Sequence, residues 1–171
     1  MTTAAVVHVV DDDDSMRTAL TRLLRAKGYD ARTYRSAGEF LMAERPDTPG
    51  CVLLDVSMPG PSGLDLHDSL TKNGDPIPVI FLTGRGDIAM SVRAMKTGAV
   101  DFLTKPVTSD DLFRAIEKAF AHHQTLRDLK DKLDSVRARL GRLTQREREV
   151  FELVIRGDHN KQIARALGCT E

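Results

Sequence analysis

Short apolar runs of strand length alternate with segments of helical spacing along the first 122 residues. Residues 5–10, 29–34, 51–55, 78–82 and 99–103 are dominated by Val, Ile, Leu, Phe, Tyr and Ala and predict five strands. Helical spacing follows each of them. Met16, Leu20, Leu23 and Leu24 mark a helix over 15–27, and Phe40 and Leu41 lie in one that starts at Ser36 and finishes before Pro46. A third helix spans 63–72, a fourth runs from an Asp87 cap through Met95 and Lys96, and a fifth opens at Ser109 with Leu112, Phe113, Ile116 and Phe120 inside. Gly28 and Gly98 are placed to end helices. Regular strand–helix alternation predicts an α/β fold, with a parallel sheet covered on both faces.

The pattern changes after residue 122. Leu126, Leu129, Leu133, Val136, Leu140 and Leu143 follow one another at intervals of three and four, a seam of coiled-coil spacing set among charged residues. Such a seam serves either self-association or packing on the chain's own domain, and Gly141 weakens its end. Thr144-Gln145-Arg146-Glu147 is a capping box. The helix it opens carries Val150, Phe151, Val154 and Ile155 and can end at Gly157. Asn160 can cap a second short helix containing Ile163, Ala164 and Leu167. Two short helices on a tight turn have the outline of a helix-turn-helix. The expected division is therefore 1–122, a linker helix over 123–142, and a small helical region over 143–171.

Overall charge adds little until it is divided. The 25 basic and 25 acidic residues balance, but residues 1–122 hold 14 basic against 17 acidic and residues 123–171 hold 11 against 8. The C-terminal part leans towards polyanions. Cys51 and Cys169 match no zinc or disulfide spacing, which fits a reducing compartment. No stretch has signal-peptide character or membrane-spanning length, and a cytoplasmic protein is expected.

Candidate chemistry gathers where strands end. Asp11 and Asp12 follow the first strand, Asp55 closes the third ahead of Met58-Pro59-Gly60, Thr83 follows the fourth and Lys105 the fifth. In an open α/β sheet the crevice at the strand C-termini is the ligand site, and in the order 2-1-3-4-5 the first and third strands are neighbours there. Converging carboxylates repel one another and attract a hard divalent cation, for which Mg²⁺ is suited. A lysine and a hydroxyl beside them complete a site for phosphoryl oxygens. Singly, each residue has an ordinary use as a turn former, a cap or a surface charge. Their joint order at strand ends singles them out.

These residues sit in motifs that resemble the receiver domain of two-component response regulators. The matching stretches are Val10-Asp11-Asp12-Asp13, Leu53-Leu54-Asp55 with Met58-Pro59-Gly60, Phe81-Leu82-Thr83-Gly84, Gly98-Ala99-Val100-Asp101-Phe102 and Lys105-Pro106. The resemblance implies a flavodoxin-like (βα)5 fold and a phosphoryl group passed from a sensor histidine kinase to Asp55. It also implies Mg²⁺ held by Asp12, Asp55 and the carbonyl of Ser57, with Asp11 acting mainly through water. Lys105 would pair with the phosphoryl group across a cis bond to Pro106, Thr83 would move towards it, and Phe102 would turn inward. The expected switch surface is the face of the fourth helix, fifth strand and fifth helix, which with the linker would form a homodimer. Ser57 and Arg85 are expected to set the lifetime of the acyl phosphate, and Pro61 to stiffen the loop after Asp55.

Leu143 to Val150 and Gly157 to Ala164 resemble the LuxR-like output region of FixJ/NarL-type regulators. In that family the recognition helix would begin near Thr170-Glu171, so promoter DNA is expected as a partner of a longer protein rather than of these 171 residues. Two other readings remain. One keeps the receiver without DNA, as a phosphate sink or partner-binding module. The other is a phosphohydrolase of the haloacid dehalogenase type, with Asp11 as nucleophile and Asp55 unexplained.

Overall fold

The structure, a computed structural model, describes residues 5–45, 48–84, 88–157 and 159–168. The readings placed on Pro46, Arg85, Asp87, Cys169, Thr170 and Glu171 lie outside them. Two compact units are present, Met1–Leu126 and Arg127–Glu171.

In the first unit, β1 (Val6–Val10), β2 (Asp30–Tyr34), β3 (Gly50–Asp55), β4 (Val79–Thr83) and β5 (Asp101–Thr104) form one parallel sheet in the order β2-β1-β3-β4-β5. Helices α1 (Asp14–Ala26), α2 (Ala37–Met42), α3 (Gly63–Lys72) and α4 (Ile88–Lys96) alternate with the strands, and α5 (Ser109–Gly141) follows the last. This is the expected flavodoxin-like receiver architecture. Successive residues of a strand face opposite sides of the sheet. Leu54 accordingly joins Val10, Phe40, Leu66 and Phe81 on one face, while Leu53 joins Val9, Leu24, Leu82 and Ile116 on the other. Every residue of β1 and β3 is buried, as strands sandwiched between two helical layers require. Each such Leu, Ile or Phe contributes roughly 1.5–3 kcal/mol through its removal from water.

Local chemistry shifts some boundaries. The Asp13 carboxylate accepts the N–H groups of Ser15 and Met16, so α1 starts at Asp14, a residue before the expected start. β5 starts at Asp101 instead of Ala99. The Ala99 amide closes α4 on the Ala94 carbonyl after Gly98 at φ +96°, which gives Ala99 to the helix cap.

The larger difference concerns α5. A single helix of 33 residues replaces the expected fifth helix and separate linker helix. No glycine or proline interrupts residues 109–140, so nothing breaks its hydrogen-bond ladder before Gly141. Leu129, Leu133 and Val136 of the seam are about half exposed.

In the second unit, α6 (Gln145–Ile155) opens on the expected capping box, Thr144 and Glu147 serving each other's backbone amides. In α7 (Asn160–Ala166) the N-cap position is held by His159, not by Asn160. The Gln162 side chain accepts the His159 N–H, which fixes the helix start one residue earlier. Among the described residues no helix is long and apolar enough to cross a membrane.

Candidate functional site

The four consecutive aspartates after β1 separate into four environments. Asp11, the next residue after the strand, is buried, and its Oδ1 accepts the Asp13 N–H at 2.9 Å. Asp12 is exposed, Asp13 caps α1, and Asp14 begins that helix and pairs with Arg17. β1 and β3 are adjacent, so Asp11 lies beside Asp55 at the end of β3. One carboxylate oxygen from each of Asp11, Asp12 and Asp55 lies within 4.8 Å of the other two.

Lys105 enters this group from the segment after β5. Its Nζ donates to Asp11 Oδ2 at 2.7 Å and to Asp55 Oδ1 at 3.1 Å. The Lys105 N–H donates to the Thr83 carbonyl at 2.7 Å, which ties its backbone to the end of β4. The peptide bond from Lys105 to Pro106 is cis. Burial raises the pKa of Asp55, and the neighbouring Asp11 charge adds to this. The hydrogen bond and charge of Lys105 and the Ser57 amide pull the other way without cancelling it. For Lys105, burial works against the ammonium, but its bonds and attraction to Asp11 and Asp55 outweigh that and raise its pKa.

Thr83 is buried at the end of β4, level with Thr104 in the ladder. Phe102 is half-buried on β5 opposite Phe81, their ring centroids 6.2 Å apart. Ser57 is exposed two residues beyond Asp55. The strand-end residues singled out in the sequence thus lie at the C-terminal ends of the strands, with Asp11, Asp12, Asp55 and Lys105 in one group.

Three all-oxygen side-chain donors, two buried and one open to solvent, suit a hard cation that keeps part of its water shell; no Cys or His belongs to the group. Two residues of this region carried no chemical signal in the sequence. Gly63, the first residue of α3, lies so close to β3 that an added β-carbon would run into the Asp55 carbonyl oxygen. Arg17 is buried behind the acidic loop, and its spacing of three from Asp14 is the one pattern that could have marked it.

Residues 7–117 match the response regulator receiver domain family. The chain belongs to the two-component response regulators. Residues 141–171 of this regulator match the luxR family of bacterial regulatory proteins, so its receiver is joined to a LuxR-type DNA-binding region. The regulator is 43% identical over 169 residues to nodulation protein W of Bradyrhizobium diazoefficiens, covering 99% of this chain and 74% of the relative. It is 42% identical to the transcriptional regulatory protein TdiR of Thauera aromatica, over 96% of this chain and 73% of that one. Among solved structures, the response regulator StyR superposes with a TM-score of 0.86 at 43% identity, over 98% of the regulator and 85% of that chain. Membership of this family decides against the phosphohydrolase, and the luxR match decides against a receiver without a DNA-binding region.

Proposed function

We propose that Asp55 is the phosphoryl acceptor and that its modification by a sensor histidine kinase switches the regulator. The observation that carries this reading is the buried Asp55 carboxylate at a strand end, 3.1 Å from the Lys105 ammonium and grouped with Asp11 and Asp12. An Asp55 carboxylate oxygen would attack the phosphorus of a phosphohistidine. A P–O bond forms, the P–N bond breaks, and its electron pair returns to the departing imidazole. Asp12, Asp55 and the Ser57 carbonyl would hold Mg²⁺, with Asp11 mainly through water. When bound, the ion would neutralise part of the charge on the phosphoryl oxygens.

Lys105 would exchange its bond to Asp55 for one to a phosphoryl oxygen. A group bearing roughly two negative charges draws in a neighbouring hydroxyl, for which Thr83 is placed. Phe102 then turns inward along β5, altering the α4-β5-α5 face. That face and the seam of α5 would form a homodimer, a reading supported by the exposure of Leu129, Leu133 and Val136. The proposed division is a receiver over 1–122, a dimerising linker over 123–142 and a LuxR-like helix-turn-helix region over 143–171, with promoter DNA as a partner of the full-length protein in the cytoplasm. The only catalysis belongs to the switch itself, phosphoryl transfer to Asp55 and its later hydrolysis, with Ser57 at the rim setting the rate of loss.

Intact mass after incubation with Mg²⁺ and acetyl phosphate tests the assignment. One added phosphoryl group is expected in the parent chain and none in Asp55→Asn, with dimerisation in the parent alone. An adduct that survives in Asp55→Asn would overturn it.

A further inference from the structure

Arg17 is the buried cation that the proposed phosphorylation site leaves unused. It is 8% exposed, whereas its ion-pair partner Asp14 has a side chain that is 91% exposed. Nη1 donates to the backbone carbonyl of Asp11 at 2.6 Å, and Nη2 donates to Asp14 Oδ1 at 2.7 Å.

Helix stability does not account for this placement. Arg17 is the fourth residue of α1, near the end where the helix dipole disfavours positive charge. An ion pair with an exposed aspartate contributes little and needs no burial, while burying a guanidinium costs several kcal/mol unless its donors are satisfied. The contact that requires burial is the one to the Asp11 carbonyl. With its other arm on Asp14, the planar fork of the guanidinium grips the acidic loop on both sides of Asp12. Asp12 itself has an exposed side chain and belongs to the carboxylate group.

We propose that Arg17 is a positioning residue for the cation and phosphoryl site. By clamping the Asp11 carbonyl and the Asp14 carboxylate it fixes the loop between them, and so the direction in which the Asp12 carboxylate meets a divalent cation. One arm holds the Asp11 carbonyl and the other the first residue of α1, so Arg17 acts through the acidic segment. The inference rests on the reading of Asp55 as the phosphorylated residue only for its consequence, because cation binding can be measured without phosphorylation.

The test uses the full chain with Arg17→Ala, Arg17→Lys and Asp14→Asn. Calorimetric titration with Mg²⁺ alone gives the Kd, thermal unfolding reports stability, and intact mass gives the rate of Asp55 phosphorylation at rising Mg²⁺. Outer-sphere support of this kind is worth about 10–100-fold in metal affinity. Arg17→Ala is expected to weaken Mg²⁺ binding by about that factor and to recover most of its phosphorylation rate at saturating Mg²⁺. Arg17→Lys, which can keep one arm, should fall between, and Asp14→Asn, which keeps the carbonyl contact, should lose less than Arg17→Ala. Unchanged Kd values in Arg17→Lys and Arg17→Ala, with a lowered Tm alone, would make the role merely structural and overturn the proposal. Should Arg17→Ala not fold, parent-like Mg²⁺ affinity in Arg17→Lys with a larger loss in Asp14→Asn overturns it. Failure of phosphorylation in the parent chain despite tight Mg²⁺ binding would instead overturn the assignment of Asp55.

Discussion

Gly63 and Asp55 are in backbone contact: the first turn of α3 presses on the carbonyl at the end of β3, leaving no room for a β-carbon. The Gly63 amide also donates to the Val56 carbonyl at 3.2 Å, which ties the helix start to the residue just after the strand. Gly63→Ala forces backbone apart where no flexible side chain can yield. A stability loss of about 1–3 kcal/mol is expected by urea unfolding, the usual range for overpacking. Phosphorylation of Asp55 should slow about tenfold or more, because displacement of the proposed acceptor by a fraction of an ångström spoils its alignment. A destabilised variant phosphorylated at the parent rate would show that the contact does not position Asp55.

Lys105 holds two buried carboxylates together. Lys105→Gln leaves Asp11 and Asp55 facing each other without their cation, and breaking a buried pair this way costs about 3–5 kcal/mol. The sign with pH follows from the raised pKa of Asp55. A carboxyl whose folded pKa exceeds its unfolded value binds more protons when folded, so its contribution to stability falls as pH rises through that interval. Losing Lys105 raises the folded value further. The variant should therefore lie closest to the parent at acid pH, fall further behind as pH rises, and regain stability in millimolar Mg²⁺. A deficit independent of both pH and Mg²⁺ would contradict this account.

His8 gives a dependence of the opposite sign. It is buried in β1 with Nδ1 3.0 Å from the Tyr34 hydroxyl, and burial, helped by the Arg45 and Arg32 charges, lowers its pKa from 6.5 to about 4. The unfolded chain then binds the extra proton first as pH falls. Stability contributed by the neutral ring is complete above pH 6.5 and is lost progressively down to about pH 4, by at most about 3 kcal/mol. Urea unfolding at pH 7, 5.5 and 4.5 should show this slope in the parent and a shallower one in His8→Gln. Identical slopes would place the acid sensitivity elsewhere.

The strands of the first unit were legible because a sheet buried on both faces demands continuous apolar runs, as in β1 and β3. The candidate site was legible because polar and charged residues interrupt or follow those runs at strand ends: Asp11, Asp55, Thr83 and Lys105. The positions that escaped notice carry their meaning in backbone contact. Nothing in the residue type of Gly63 distinguishes it from a helix-starting glycine, and the burial of Arg17 depends on the fold of a loop. His123 escaped for the same reason: its Nδ1 lies 2.8 Å from the carbonyl of Gly50, 73 residues away. β5 starts later than its apolar pattern implies because Ala99 and Val100 are as apolar as a strand requires, while the amide of Ala99 belongs to the end of α4.

Cys51 shares β3 with Asp55 and has no solvent exposure, and burial pushes its thiol pKa up. A thiol in that state is inert until the strand leaves the sheet. In a Cys169→Ser background, the rate at which an alkylating reagent consumes Cys51 counts those departures, giving the regulator an internal clock of its own opening. Any ligand that binds only the closed sheet slows such a clock by the factor with which it stabilises the fold. Occupation of one end of β3 is thereby recorded at the other, by a sulfur atom outside the proposed phosphorylation site.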